Sequence, residues 1–360
     1  MKSLMWFRND LRMDDNPALR NACIESEEVH AIYIFSSSQN NFHNEANCKI
    51  EFLIENLKIL DQELSKINIP LTIIDSTGFK DNKDIILNLI KERAINKVFW
   101  NNQFGNDEQN RDGQVIRSFK KNNIEFSTHH EKVIFSPGSI RTAEDKPYSV
   151  FTPFKKKWIE NFNLDLLDIE FNYLLKNKPS IESNVSDFNF KYKQNHSVDM
   201  SMWPPGEVHA KDRLELYLSK NILRYSQDRN DPIIDGTSRI SPYLANGIIS
   251  PKRCILEALK INNFELDSGE KGITKWIDEI IWREFYKNIM FCFPKVSQNK
   301  PFQDYTNNIK WRYEESEFNA WKNGNTGFPI IDSAMKQLKS EGWMHNKLRM
   351  DVAMFFTKNK

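Results

Sequence analysis

Through the first 135 residues, short apolar runs alternate with amphipathic stretches. Leu4–Phe7, Val29–Phe35, Pro70–Asp75, Lys97–Trp100 and Lys132–Phe135 are each too short for a helix and are flanked by polar or turn residues, which predicts buried strands. Between them, Glu45–Ile67, Lys83–Ile95 and Asp107–Asn123 predict helices; Ile50, Leu53, Ile54, Leu57 and Leu60 recur at steps of three and four. Strand–helix alternation with short connections predicts a doubly wound parallel sheet, whose ligands sit outside the carboxyl ends of the strands. No G-x-G-x-x-G follows the first strand, so the dinucleotide fingerprint is absent.

The pattern changes after about residue 170. Glu170–Ala210 is polar and aperiodic, with Asn-Lys-Pro-Ser and Trp-Pro-Pro-Gly segments, and predicts a linker crossing the surface. Helical periodicity follows over Asp212–Leu223, Pro242–Ala245, Pro251–Lys260, Thr274–Phe291, Phe318–Lys322, Ile330–Ser340 and Trp343–Lys358. The expected organisation is an α/β domain over 1–130, a connecting linker over 131–210 and an all-α domain over 211–360.

Composition changes this picture little. The chain of 360 residues has room for two cores, and its net charge of +1 excludes a generally basic protein. The charge is uneven, however. Residues 1–200 hold 26 Lys and Arg against 29 Asp and Glu, and residues 201–360 hold 24 against 20. A polyanion would therefore meet the second half. The four cysteines, Cys23, Cys48, Cys254 and Cys292, have neither metal-ligand nor disulfide spacing. With no signal peptide and no apolar stretch near the ~20 residues that span a bilayer, the expected compartment is the cytoplasm.

Three segments carry candidate chemistry. Gly236-Thr-Ser-Arg-Ile-Ser-Pro242 gathers hydroxyls, backbone N–H groups and one guanidinium at a helix start, a cradle for phosphate. Ser241 as N-cap with Pro242 next explains half of that pattern without a ligand. On the helix around Trp276–Tyr286, Trp276, Glu279 and Arg283 share a face bordered by Trp282. A Glu279–Arg283 pair at i, i+4 would ordinarily be a surface ion pair, yet Ile280, Ile281, Trp282 and Phe285 are too apolar for a solvated face. Asn346, Arg349 and Met350 repeat the mixture on the last helix, although Met350 by itself fits a core as well as a ligand. Flat rings beside hydrogen-bonding groups suit a site that stacks bases or cofactors. Trp311, amid polar residues, is either a half-buried lid or an exit point for electrons.

These residues resemble the DNA photolyase/cryptochrome family, nearest to its bacterial cyclobutane-pyrimidine-dimer enzymes. The likeness runs through Trp6–Arg12, Val150–Phe154, Gly236–Ser241, Trp282–Tyr286, Gly327–Asp332 and Gly342–Asn346, in family order. It implies a carbon–carbon lyase that repairs pyrimidine dimers in DNA by electron transfer from light-excited reduced FAD, acting as a monomer. By position, Tyr225 and Thr237, Ser238, Arg239, Ile240 and Ser241 would hold the FAD phosphates and ribityl chain. Trp276, Glu279, Arg283, Asn346 and Arg349 would surround its rings. Glu279 and Asn346 would hydrogen-bond the thymine carbonyls, which requires Glu279 to be protonated. Trp282 and Met350 would pack on the flipped dimer, with Arg283 beside it, while Arg229 and Lys347 would meet DNA phosphates. Trp311 would be the outer member of an electron chain. A folate antenna, 5,10-methenyltetrahydrofolate, would lie at His43, Asp107 and Glu108.

The sequence departs from the family pattern at Asp107, where Asn is usual, at Gln298, where Lys is usual, and at Lys347, where Arg is usual. The segment that supplies the remaining flavin contacts and the inner tryptophans would follow Lys360, so a C-terminally truncated member is expected. Two other functions stay open: a cryptochrome-like blue-light receptor, or a fragment that no longer holds FAD.

Overall fold

Five parallel strands, β1 (Lys2–Phe7), β2 (Glu28–Phe35), β3 (Leu71–Asp75), β4 (Lys97–Asn101) and β5 (Glu125–His129), form a sheet in the order β3-β2-β1-β4-β5. The computed structural model describes all residues except Glu170, Asn172, Asn195, His196, Tyr313 and Lys360, and the side chain of Asn359. Four of these belong to the expected linker, and Tyr313 adjoins Trp311; those parts of the expectation lie outside the described residues. Helices α1 (Pro17–Glu25), α2 (Ser37–Phe42), α3 (Asn47–Ser65), α4 (Asn82–Glu92) and α5 (Asn106–Lys121) cover the sheet. The expected doubly wound α/β unit is present. Helix α1, which the periodicity did not mark, starts at Asn16, whose Oδ1 accepts from the Leu19 N–H at 3.1 Å.

The fifth strand lies earlier than expected. Glu125–His129 is polar except for Phe126, in keeping with an edge strand of partly exposed side chains. Lys132–Phe135 forms no strand; it is apolar because it packs in the seam against the helical half. There Ile134 N–H and Phe135 N–H donate to Glu284 at 2.6 and 3.0 Å.

The connecting region is more ordered than a surface linker. It contains α6 (Phe151–Asn161), which buries Phe154 and Trp158. Farther on it protects the opposite edge of the sheet. The Asn184 carboxamide accepts from Ile73 N–H at 2.7 Å and donates to Ile73 C=O at 3.0 Å, as a neighbouring strand would. Ser183 Oγ donates to Leu71 C=O at 2.9 Å.

The second half comprises α7 (Glu207–Lys220), α8 (Tyr225–Asp228), α9 (Ser241–Asn246), α10 (Pro251–Ile261), α11 (Lys271–Cys292), α12 (Glu315–Asn323), α13 (Pro329–Glu341) and α14 (Asn346–Asn359). Trp343, Met344 and His345, expected inside the last helix, precede it. Ser250 caps α10 by accepting from Arg253 N–H at 2.9 Å. One hydrophobic core joins one face of the sheet, the connecting region and α7–α11. The other face has its own core with α4 and α5, and α12–α14 form a third. Backbones meet closely where the halves join: at Gly247 (φ +66°) a Cβ would stand 2.2 Å from Asn9 C=O. Arg12 bridges the same place, donating to Gly247 C=O at 2.9 Å and to Glu131 at 2.7 Å. None of the helices among the described residues is long and apolar enough to cross a membrane.

Candidate functional site

Helix α11 is the element on which both candidate sites are built. Near its start Trp276 is buried, its ring centroid 5.7 Å from that of Tyr217, which in turn lies 6.3 Å from Tyr225. Trp276 Nε1 donates to Ser238 Oγ at 3.3 Å, tying the helix to the expected phosphate loop. One turn on, Glu279 accepts from Arg229 Nη1 at 2.5 Å, and the Arg229 guanidinium lies over the Tyr225 ring. The structure thus brings Tyr225, Arg229, Ser238, Trp276 and Glu279 together.

The Glu279–Arg283 ion pair, the ordinary alternative for this spacing, is not formed. Arg283 reaches the seam instead. Its guanidinium donates there to the carbonyls of Lys132 at 2.5 Å and Leu244 at 3.2 Å. Glu279 is also less buried than its proposed role suggested: its side chain is 28% exposed and acts as an acceptor.

In the phosphate loop, Ile240 is the N-cap of α9 and Ser241 is its first helical residue, so Ser241 does not cap. The hydroxyls of Thr237 and Ser241 make no hydrogen bond among the described residues. Arg239 holds a left-handed backbone (φ +48°), a cost of about 1–2 kcal/mol for a non-glycine residue. It is kept there by Asp235 at 3.2 Å, by Glu341 at 3.3 Å and by the Trp343 ring 4.7 Å away. Such an outlier marks a constrained, functional loop.

Whether these residues suit FAD can be tested on their unmet polar atoms. Tyr217 Oη and His345 Nε2 are buried with no hydrogen-bond partner among the described residues, and each costs about 1–3 kcal/mol while unpaired. His345 Nδ1 accepts from Lys347 N–H at 3.2 Å, which leaves Nε2 as the donor; burial and nearby Arg239 lower its pKa and keep the ring neutral. The Tyr217 ring lies against Trp276, and His345 lies near Arg239. Hydroxyl, amide, imidazole and guanidinium groups beside buried aromatic rings are a donor set that suits a flavin dinucleotide. Neither His345 nor Tyr217 was singled out from the sequence, where a lone Tyr or His carries no signal.

The remaining candidates are dispersed. Trp282 stacks on Phe151, with centroids 3.6 Å apart and planes at 9°, and borders Tyr286. Asn346, Lys347, Arg349 and Met350 are exposed on the first turns of α14, and among the described residues none of them forms a hydrogen bond or ion pair with Glu279 or Trp282. Lys347 pairs with Asp351 at 3.6 Å, and Arg349 Nε donates to Met344 C=O at 3.3 Å. Met350 is 54% exposed, which removes the core-filler reading. Trp311 is half exposed and makes no ring contact among the described residues.

A second site lies across α11. A cavity of about 520 Å³ opens at the carboxyl end of the sheet, where doubly wound folds bind ligands. His43, Asp107 and Glu108 all line it, as do Trp6, Lys132 and Lys287. The Arg8 and Arg111 guanidiniums pack on Trp6, 4.6 and 4.9 Å from its ring centre. Gln298 donates to Asn106 Oδ1 at 3.1 Å beside the cavity residue Asp107. Burial pushes the Lys132 amine down to about 7 and the Lys287 amine down to about 8.

Residues 3–172 match the family model of DNA photolyase, and residues 276–360 match that of the FAD-binding domain of DNA photolyase. The chain is 36% identical over 360 residues to a deoxyribodipyrimidine photo-lyase of Buchnera aphidicola, covering 99% of this chain and 74% of that protein. It is 34% identical over 357 residues to the Escherichia coli protein of the same name, with the same coverage. The crystal structure of a class III photolyase from Agrobacterium tumefaciens superposes with a TM-score of 0.86 at 27% identity, over 98% of this chain and 72% of that one.

Proposed function

The chain belongs to the DNA photolyase family, and from that premise we propose that it splits cyclobutane pyrimidine dimers in DNA under light, as a cytoplasmic monomer. The observation that carries this reading is Glu279: partly exposed, with Arg229 as its one partner among the described residues, one helical turn from the buried Trp276. Bound in the helical half, reduced FAD supplies the light-driven electron that opens the cyclobutane ring and the site to which it returns.

The protein's own groups do the rest. Trp276, Ser238, Tyr217, His345 and Arg239 hold the cofactor, with Thr237, Ile240, Ser241 and Tyr225 completing the loop side and Arg349 the ring side. Glu279 takes up a proton as it leaves Arg229, and its O–H donates to a thymine carbonyl as negative charge develops there, an electrostatic contribution of about 1–3 kcal/mol. Released from Glu279, Arg229 is free for a DNA phosphate, joined by Lys347. Trp282, its one face covered by Phe151, offers the other to the flipped dimer, with Asn346 and Met350 opposite.

The α/β unit over 1–130 acts as the antenna domain, 131–210 as its connector and 211–360 as the flavin domain. Convergence of His43, Asp107 and Glu108 on one cavity supports 5,10-methenyltetrahydrofolate as the second chromophore. The decisive experiment illuminates dimer-containing single-stranded DNA with photoreduced, flavin-loaded protein. Recovery of thymine is expected. No recovery from protein that holds flavin would overturn repair, and binding to dimer-containing DNA more tightly than to undamaged DNA would tell against a cryptochrome-like receptor.

A further inference from the structure

Two lysines that line the seam cavity have no direct acidic partner among the described residues. Lys132 comes from the loop after β5 and Lys287 from α11, and both line the cavity. Neither amine makes a hydrogen bond or ion pair among the described residues. The other cations there are already engaged: Arg8 with Asp112 at 2.9 Å, Arg111 with Asp112 at 2.8 Å, and Lys49 with Glu45. A buried ammonium without a partner is costly and persists where a ligand completes it. Between the lysines and Trp6 the wall also carries Tyr33, Phe79 and Phe104, flat apolar surface at van der Waals reach of a ring system.

We propose that Lys132 and Lys287 form an anion seat, so that the cavity takes a planar heteroaromatic ligand bearing a carboxylate or phosphate group. The proposal rests on the reading of this cavity as the second chromophore's site. It adds to that reading the group that decides which chromophores are accepted. In the family-derived expectation the determinants were His43, Asp107 and Glu108, which line the same cavity.

The charges around the seat set how it responds to pH. Glu131 and Asp10 draw a proton onto Lys132, while Lys287 and Arg283 oppose it. For Lys287, Arg283 opposes the proton and Glu131 and Glu108 favour it. Desolvation dominates at both amines, so each is only partly charged near neutrality. An arriving anion therefore brings protons with it, and its affinity falls as pH rises from 6 to 9.

The test uses the flavin-loaded protein, so that the flavin site is filled, and two matched pairs of fluorescent probes. These are 6-carboxypterin against 6-hydroxymethylpterin, and FMN against riboflavin. The expected result is that at least one charged probe binds about ten-fold more tightly than its uncharged match at pH 6.5. That advantage shrinks toward pH 9, and in a Lys132→Met, Lys287→Met double variant it disappears while the uncharged probe stays within about two-fold. Preference for the carboxylate or the phosphate identifies the anion. Equal affinities within both pairs, equal losses of both members in the variant, or no binding of any probe would each overturn the seat. Light transfer from a bound folate to flavin that is insensitive to both lysine substitutions would overturn the seat and leave the antenna reading standing. Lysine-dependent binding without light transfer would uphold the seat and remove the antenna.

Discussion

Glu279 and Glu284 sit five residues apart on α11 and live in opposite worlds. Glu284 is buried at the seam and accepts three hydrogen bonds, from Ile134 N–H, Phe135 N–H and Trp158 Nε1. Burial nevertheless outweighs those donors and pushes its carboxyl up to about 7. Glu279 has one partner, Arg229, and more than a quarter of its side chain meets solvent. A buried carboxyl group held by three donors is a clamp. One with a single exchangeable partner can hand itself to a substrate. The helix thus keeps a fixed face toward the α/β half and an adaptable face toward the repair site.

Three substitutions test this contrast, in descending order of expected effect on stability. Arg12→Ala removes one half of the most buried ion pair of the seam, leaving Glu131 uncompensated, and should cost about 3–5 kcal/mol. Chemical denaturation that shows a loss below 1 kcal/mol would mean that the seam is not the clamp.

Glu284→Gln should come next. Because the folded-state pKa of Glu284 is raised above 4.5, its stabilising contribution is complete below that pH and is lost as pH rises through about 7. Wild type should therefore lose on the order of 2 kcal/mol between pH 4.5 and 7.5 through this group, and the Gln variant should lack that slope. Lys132 works in a different window, since its lowered pKa costs stability as pH falls from 10.5 toward 7. Matching wild-type and variant slopes below pH 7 would reassign the linkage.

Glu279→Gln is the smallest change in stability, within about 0.5 kcal/mol, as befits a partly exposed pair. Its repair yield per absorbed photon should nevertheless fall several-fold, with flavin content and dark DNA affinity unchanged. Equal yields would leave the lesion contacts to Trp282 and Asn346.

The same contrast explains what could be read in the sequence. The α/β alternation was legible because four of the strands are continuous apolar runs, as buried parallel strands are. The fifth was misplaced because its edge position made Glu125–His129 mostly polar, while the seam made Lys132–Phe135 apolar. Helix α6 stayed hidden in a region judged by its polar continuation. At the site, residue identities were legible through family resemblance, but partnerships were not. Glu279 finds Arg229 fifty positions away, and Trp276 finds Ser238 thirty-eight away. Helical spacing sees only i+3 and i+4 neighbours, so it proposed Arg283, which the tertiary fold had drawn to the seam carbonyls.

The carboxamide of Asn184 on β3 also has a history in time. It closes the sheet edge from 111 residues downstream. A ribosome adding about 5–20 residues per second needs roughly 5–20 s to deliver it. During that interval the nascent sheet presents an unpaired strand to its surroundings. The α/β half is therefore most prone to sticking to its neighbours while it is being made, and holdase chaperones acting before Asn184 emerges should raise its soluble yield more than any that act after release.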